Sequence, residues 1–157
     1  MVAIIESAVG RLKLVEENEQ LVAVSFTKEP KLALPNNPLL SLTKKQLDGY
    51  FARTLQEFDL PLAPAGTDFQ QKVWQQLLLI PYGKTISYLE LAHRLGDPKI
   101  IRAAASANGK NPMAIIIPCH RVIGAHGEMT GYAGGIQRKK DLLSLEGAAV
   151  MKQLNLF

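Results

Sequence analysis

Ser87-Tyr88-Leu89-Glu90-Leu91-Ala92-His93-Arg94-Leu95-Gly96-Asp97-Pro98-Lys99-Ile100-Ile101-Arg102-Ala103-Ala104-Ala105-Ser106-Ala107-Asn108 carries two helix starts and one helix stop in a single short stretch. Ser87 followed three residues later by Glu90 is a capping-box signature, and the short helix it opens runs through Leu89, Ala92 and Leu95 to a stop at Gly96. Asp97 then caps again, with Pro98 at the first helical position. The second helix, from Pro98 to about Asn108, bears Arg102 and a run of small residues, Ala103 to Ala107. Two short helices joined by a tight Gly-Asp turn predict a helix-turn-helix, and small side chains on its second helix let that helix approach a grooved partner closely. The same geometry is common in helical packing that never meets DNA, so the motif states a hypothesis and not a function.

Working outward toward the N-terminus, Thr67 and Gln70 form another capping-box signature. It opens a helix on Phe69, Val73, Leu77 and Ile80 that Pro81 ends, with Tyr82 and Gly83 making the turn. Before it, Asp59 to Gly66 contains Pro61 and Pro64 and breaks both helical and strand periodicity, which makes it the linker. The first 26 residues read as three strands, Val2–Glu6, Leu12–Val15 and Leu21–Phe26, with turn formers at Gly10 and Asn18. After a loop rich in Pro and Asn (residues 35–38), the spacing of Leu47, Tyr50, Phe51, Leu55 and Phe58 predicts an amphipathic helix from Thr43 to about Phe58. Toward the C-terminus, Ala114–Ile117 reads as a short buried strand and Gly124–Gly135 as a glycine-rich loop. A last helix spans Ile136 to about Glu146 and carries Leu142, Leu143 and Leu145. Two domains are therefore expected, residues 1–65 and residues 66–157.

Composition narrows the class. Of 157 residues, 47% are apolar and 20% charged, ordinary for a globular protein. The longest apolar runs, Leu77–Ile80 and Met113–Ile117, are far too short to cross a bilayer. Glu6, Glu16, Glu17 and Glu19 stand where a signal peptide would need a basic and then an apolar run, so the expected location is inside the cell. Residues 1–65 hold 7 Lys/Arg and 8 Asp/Glu, a net charge of −1, whereas residues 66–157 hold 11 and 6, a net charge of +5. The basic second half is compatible with a polyanion partner, or with a merely solvated basic face.

The chain has one cysteine, Cys119, within Ile117-Pro118-Cys119-His120-Arg121-Val122. A lone thiol makes no internal disulfide, and it is more often an inert core residue than a nucleophile. Following a proline at the end of an apolar run, however, it is fixed at a turn from which it can point into a cleft. A free thiol is only slightly ionised at neutral pH and needs help: His120 is a candidate base and Arg121 a local positive charge. An imidazole acting as base needs a partner to orient it, and Glu146 on the last helix is the nearest plausible one downstream, with Asn111 able to brace the turn. The plain alternatives are a buried thiol, a surface histidine and a solvated glutamate.

These residues resemble the methylated-DNA-protein-cysteine methyltransferases, also called O6-alkylguanine-DNA alkyltransferases. The resemblance runs through residues 67–147: the Val73-Trp74 helix, Ile80-Pro81-Tyr82-Gly83, Ser87-Tyr88, Arg102, Asn111-Pro112, Pro118-Cys119-His120-Arg121-Val122, Gly131-Tyr132-Ala133-Gly134-Gly135 and Glu146-Gly147. It implies an α+β protein: a small N-terminal α+β, ribonuclease H-like domain followed by a mostly helical, winged-helix-like C-terminal domain with the helix-turn-helix. It implies repair by direct reversal, with the alkyl group of O6-alkylguanine, and of O4-methylthymine, passing irreversibly to Cys119. In that scheme His120 takes the thiol proton through a water, Glu146 orients and charges the imidazole, and Asn111 supports the network. Arg102 enters the base stack, Tyr88 presses on the phosphate beside the flipped nucleotide, and Val122, Tyr132 and Ala133 contact the base, Val122 and Ala133 through their backbones.

The implied partner is double-stranded DNA docked by its minor groove, with the protein acting as a monomer, cooperative binding on DNA being an open option, and no membrane. The implied location is cytoplasmic, nucleoid-associated in a prokaryote or nuclear in a eukaryote. No cofactor is expected and no metal: the zinc ligands of some relatives cannot be formed where residues 1–65 hold neither cysteine nor histidine. Ala114 stands where certain members have Pro and Ala133 where certain members have Ser, which bears on pocket width. Two other classes remain open at this point. A pure lesion-binding module like the alkyltransferase-like proteins would lack the acceptor cysteine, and a cysteine hydrolase built on Cys119 and His120 would turn over repeatedly.

Overall fold

The computed structural model describes residues 1–148; residues 149–157, the end of the expected second domain, lie outside it. The chain divides into two compact units, Met1–Ala65 with Pro112–Ile116, and Gly66–Asn111 with the chain from Ile117 onward. Among the described residues no helix is long and apolar enough to cross a membrane.

In the first unit β1 (Val2–Ile5), β2 (Leu12–Glu17) and β3 (Gln20–Phe26) form an antiparallel sheet in that order. The β2–β3 turn holds Asn18 (φ 52°) and Glu19 (φ 64°), the two left-handed positions a tight hairpin needs. Cross-strand register places Ala3 and Val24 beside Leu14, and Ile5 beside Leu12, all buried on the face that the helix covers. That helix, α1 (Pro38–Phe51), buries Leu40, Thr43, Leu47 and Tyr50 at spacings of three and four. It starts five residues before the expected Thr43. Asn37 accepts from the Leu40 N–H and Pro38 takes the first turn, so the Pro/Asn run is a helix start and not a loop. It also ends earlier. Arg53 turns left-handed (φ 62°), and Phe58, outside the helix, returns its ring to Tyr50 at 5.5 Å.

Pro112–Ile116 belongs to this first unit although it lies far downstream. The Val24 N–H donates to the Pro112 carbonyl and the Ala114 N–H to the Val24 carbonyl, both at 2.9 Å. The strand expected over Ala114–Ile117 reduces to this single bridge at Met113 followed by turns. Ile115, a β-branched residue, sits at φ 71°, a conformation no strand contains and one that costs of order 1–3 kcal/mol.

The second unit opens with α2 (Asp68–Leu78), whose Thr67–Gln70 capping box is complete. Trp74 is the anchor: it is buried, and its indole Nε1–H donates to the Ala107 carbonyl at 2.9 Å. Gly66 lies against this ring, where an added Cβ would come within 2.4 Å of the indole. Next come β4 (Ile86–Ser87), α3 (Tyr88–Arg94) and, across the Gly96-Asp97 turn, α4 (Ile101–Gly109), which together make the helix-turn-helix. Ser87 caps the Glu90 N–H, but Glu90 does not return the bond; it pairs with Arg94 instead, so the second capping box is half formed. Pro98–Ile100 is a 3₁₀ turn that leads into α4 and is not its first turn. A 3₁₀ turn at Cys119–Arg121 continues into β5 (Val122–Ile123), parallel to β4, and α5 (Ile136–Leu145) closes the unit. Leu143 of α5, Ala148, Ile123 and Met129 pack together beneath the glycine-rich loop.

Candidate functional site

Cys119 is held from three sides within the second unit. Its N–H donates to the Ile117 carbonyl at 2.8 Å, and its carbonyl accepts from the Val122 N–H and, at 3.4 Å, from Asn108 Nδ2 near the end of α4. Asn111 Nδ2 donates to the Ile117 carbonyl at 2.7 Å, and its side chain also hydrogen-bonds the thiol. Cys119 is 7% exposed. Burial pushes it above the ordinary thiol range, and the Asn111 bond and the Lys139 charge pull only partly against that. At neutral pH the resting site therefore holds a protonated thiol.

The next residue starts a fully buried polar chain. His120 Nε2 lies 2.7 Å from Glu146 Oε2. The same carboxylate takes the Arg121 Nε–H on Oε1 at 2.8 Å, the Arg121 Nη2–H on Oε2 at 3.0 Å, and the Gly83 N–H at 3.4 Å. Arg121 Nη1 completes its fork on the Ile80 carbonyl at 2.7 Å, with its guanidinium 5.8 Å from the Tyr82 ring. Sequence places Glu146 here because it caps α5, and Gly83 fits beside it because its φ of 76° suits glycine and a Cβ there would stand 3.1 Å from the Glu146 carbonyl.

Burial alone would raise the Glu146 carboxyl. The hydrogen bonds and charges of His120 and Arg121 outweigh it and hold the group down at about 2. Burial also lowers His120, against the opposing pull of Glu146, so the ring is neutral at pH 7. An ionised Glu146 must be met by Nε2–H, which fixes the tautomer: Nδ1, which has no hydrogen-bond partner from the protein, carries the free lone pair. Arg121 thus acts on Glu146, not on the thiol as the adjacent positions suggested.

A cleft of about 610 Å³ opens between the helix-turn-helix and the glycine-rich loop, lined by Tyr88, Arg102, Ala105, Thr130, Tyr132 and Ala133 among others. Arg102 is exposed on α4, and Ala133 is exposed on the loop. Tyr88 donates its hydroxyl to the Thr130 carbonyl at 3.1 Å. Burial raises both Tyr88 and Tyr132, and a charge on Cys119 would raise them further, which places the thiol within electrostatic reach of the cleft wall. Val122 is buried, its N–H already engaged by the Cys119 carbonyl. The structure thus pairs Asn111 with the Cys119 turn, joins His120 to Glu146 and Arg121, and groups Tyr88, Arg102, Tyr132 and Ala133 around one cleft.

Sequence reasoning missed Lys139 and Asn108, both buried. The signal for Lys139 was its place on the inward face of the last helix, one turn before Leu142 and Leu143. Among the described residues no group of three or more His, Cys, Asp or Glu could hold a metal ion.

Comparison with known proteins addresses the whole chain. The sequence model for the 6-O-methylguanine DNA methyltransferase DNA-binding domain matches residues 68–148, and that for the ribonuclease-like domain of the same proteins matches residues 1–64. A methylated-DNA--protein-cysteine methyltransferase of Methanosarcina acetivorans is 47% identical over 93% of this chain and 97% of its own length. Its counterpart in Mycobacterium bovis is 48% identical over 98% and 96%. Among solved structures, Mycobacterium tuberculosis OGT in complex with DNA superposes with a TM-score of 0.84 at 47% identity, covering 98% of each chain. With the buried Cys119–His120–Glu146 segment in the same unit as a helix-turn-helix, and the two family models matching residues 1–64 and 68–148, the chain belongs to the 6-O-methylguanine DNA methyltransferase family.

Proposed function

We propose that the protein repairs DNA by moving the alkyl group of an O6-alkylguanine, and of O4-methylthymine, onto Cys119, and that each molecule acts once. The observation that carries this reading is the neutral, fully buried His120, directly after the only cysteine in sequence, with its Nε2 tied to an ionised Glu146 and its Nδ1 without a hydrogen-bond partner from the protein. That is the arrangement of a base held for one proton, and Asn111 on the thiol supports it.

The steps balance without a cofactor or metal. A flipped guanine brings its O6-alkyl carbon to the sulfur, and the thiol proton leaves through His120 Nδ1 and an intervening water. The S–C bond forms as the C–O6 bond breaks, and the proton ends on the guanine ring, which becomes an ordinary guanine. The thioether has no leaving group, so the thiol is not regenerated. The lesion cannot react while stacked, and extrusion costs about a few kcal/mol. In our reading Arg102, exposed on α4, enters the vacated stack from the minor groove, and Tyr88 presses on the neighbouring phosphate. The backbones of Val122 and Ala133, together with Tyr132, bind the base. The second unit carries DNA binding and transfer. The protein acts as a monomer on duplex DNA, in the cytoplasm, at the nucleoid if the source is a prokaryote and in the nucleus if it is a eukaryote.

A stoichiometry experiment tests this. Incubating the protein with excess duplex containing labelled O6-methylguanine should transfer label until one methyl per protein is reached and then stop. Cys119→Ala should transfer none while still binding the duplex. Release of product beyond one equivalent would instead mark a turnover hydrolase and overturn the proposal.

A further inference from the structure

Behind Tyr88 and Thr130 of the cleft lies a cation that the scheme above leaves unused. Lys139 is fully buried on α5, where a lysine is almost never found without a reason. Its ammonium donates to the Thr130 carbonyl at 2.9 Å and lies 5.9 Å from the Tyr88 ring centre. The same Thr130 carbonyl accepts from the Tyr88 hydroxyl, so one backbone oxygen at the cleft edge fixes both side chains. The neighbouring cation in sequence, Arg121, is committed to Glu146 and Ile80. Among the described residues, Lys139 is the cation whose charge acts on the thiol.

We propose that Lys139 is a positioning residue of the acceptor site: its ammonium, anchored on the Thr130 carbonyl and the Tyr88 ring, stabilises the Cys119 thiolate by charge as the proton departs. The inference rests on Cys119 being the reacting sulfur. The groups facing this ammonium are the Cys119 thiol, the Tyr88 ring and the His120 imidazole. Burial lowers Lys139 to about 8, and a charged Cys119 raises it again. The coupling is mutual, for the Lys139 charge lowers the thiol. Below pH 8 the site thus holds a cation with few solvent competitors, ready to gain strength when the sulfur becomes an anion. A cation several ångströms away in a protein interior shifts a thiol by about one pK unit or more.

The test reads Cys119 alkylation by iodoacetamide against pH, a probe that needs no DNA. In Lys139→Met the midpoint of the profile should move up by about one unit. At pH 7.5 the rate should fall about threefold, since greater intrinsic nucleophilicity offsets part of the lost thiolate. Lys139→Arg, which keeps a permanent cation, should stay near the wild-type midpoint. If the Met and Arg variants move together, or if neither moves, charge is not what Lys139 supplies and the proposal is overturned. A second measurement uses the unmutated chain: capping Cys119 with methyl methanethiosulfonate should lower the Lys139 titration followed by the ¹³C signal of its Cε. An unchanged titration would equally overturn it. Failure of the methyl-transfer stoichiometry with wild-type protein would bear on the proposed function and leave these thiol readouts intact.

Discussion

Replacing Glu146 by Gln removes the charge that His120 and Arg121 share while keeping the side chain's shape. The Glu146 side chain is wholly inaccessible and accepts from His120, twice from Arg121 and from the Gly83 N–H. Its carboxyl is held at about 2 against an ordinary 4.5, a gap worth about 3 kcal/mol of folding stability. Because the folded value is the lower one, that stability is fully present above pH 4.5 and is lost as pH falls toward 2. Urea unfolding followed by the fluorescence of Trp74, the only tryptophan, reports the second unit. At pH 7 the Gln variant should be less stable by about 3 kcal/mol, and by pH 3 more than half of that gap should have closed. His120, held low by burial, destabilises both proteins as pH drops below 6.5, so the difference between the two curves is the informative quantity. A gap that stays constant from pH 7 to pH 3 would show that Glu146 is not ionised in the network and would remove the basis for the His120 tautomer.

Arg102→Ala should slow methyl transfer from duplex DNA at least tenfold while leaving reaction with free O6-benzylguanine unchanged, because only the duplex must be opened, at about a few kcal/mol; equal losses on both substrates would place Arg102 elsewhere in the reaction. Trp74→Ala should destabilise the second unit by about 3–5 kcal/mol in chemical denaturation, from the lost indole volume and the lost indole hydrogen bond to the Ala107 carbonyl, and a loss under 1 kcal/mol would contradict the packing described. The transfer rate measured under single-turnover conditions should rise with pH above neutrality, since burial holds the thiol protonated; a flat profile from pH 6 to pH 9 would mean that deprotonation does not limit the reaction.

The parts legible in the sequence were those encoded locally. Thr67–Gln70, Ser87, Asp97 and Pro98 announce helix starts by side-chain chemistry that acts within three residues, and the structure uses each of them. The misread elements depend on distant partners. Ala114–Ile117 is apolar enough for a strand, yet Met113 pairs with Val24 some ninety positions away in sequence and Ile115 turns left-handed. Asn37-Pro38 is a cap and first-turn pair that a loop-like composition concealed. At the site, the residue types of Cys119, His120 and Glu146 suggested a nucleophile, a base and its orienting partner. The role of Arg121 was misjudged because adjacency along a 3₁₀ turn does not say which way a side chain points. Lys139 was passed over because a lysine between Arg138 and Lys140 reads as solvated charge, although its spacing to Leu142 and Leu143 puts it on the inward face of the last helix.

The central claim is that one sulfur receives the alkyl group. After reaction with duplex O6-methylguanine DNA, mass analysis of the digested protein should find a single added methyl group, on the peptide bearing Cys119 and on no other residue. Complete loss of the lesion from the DNA with an unmodified Cys119 peptide would contradict the account.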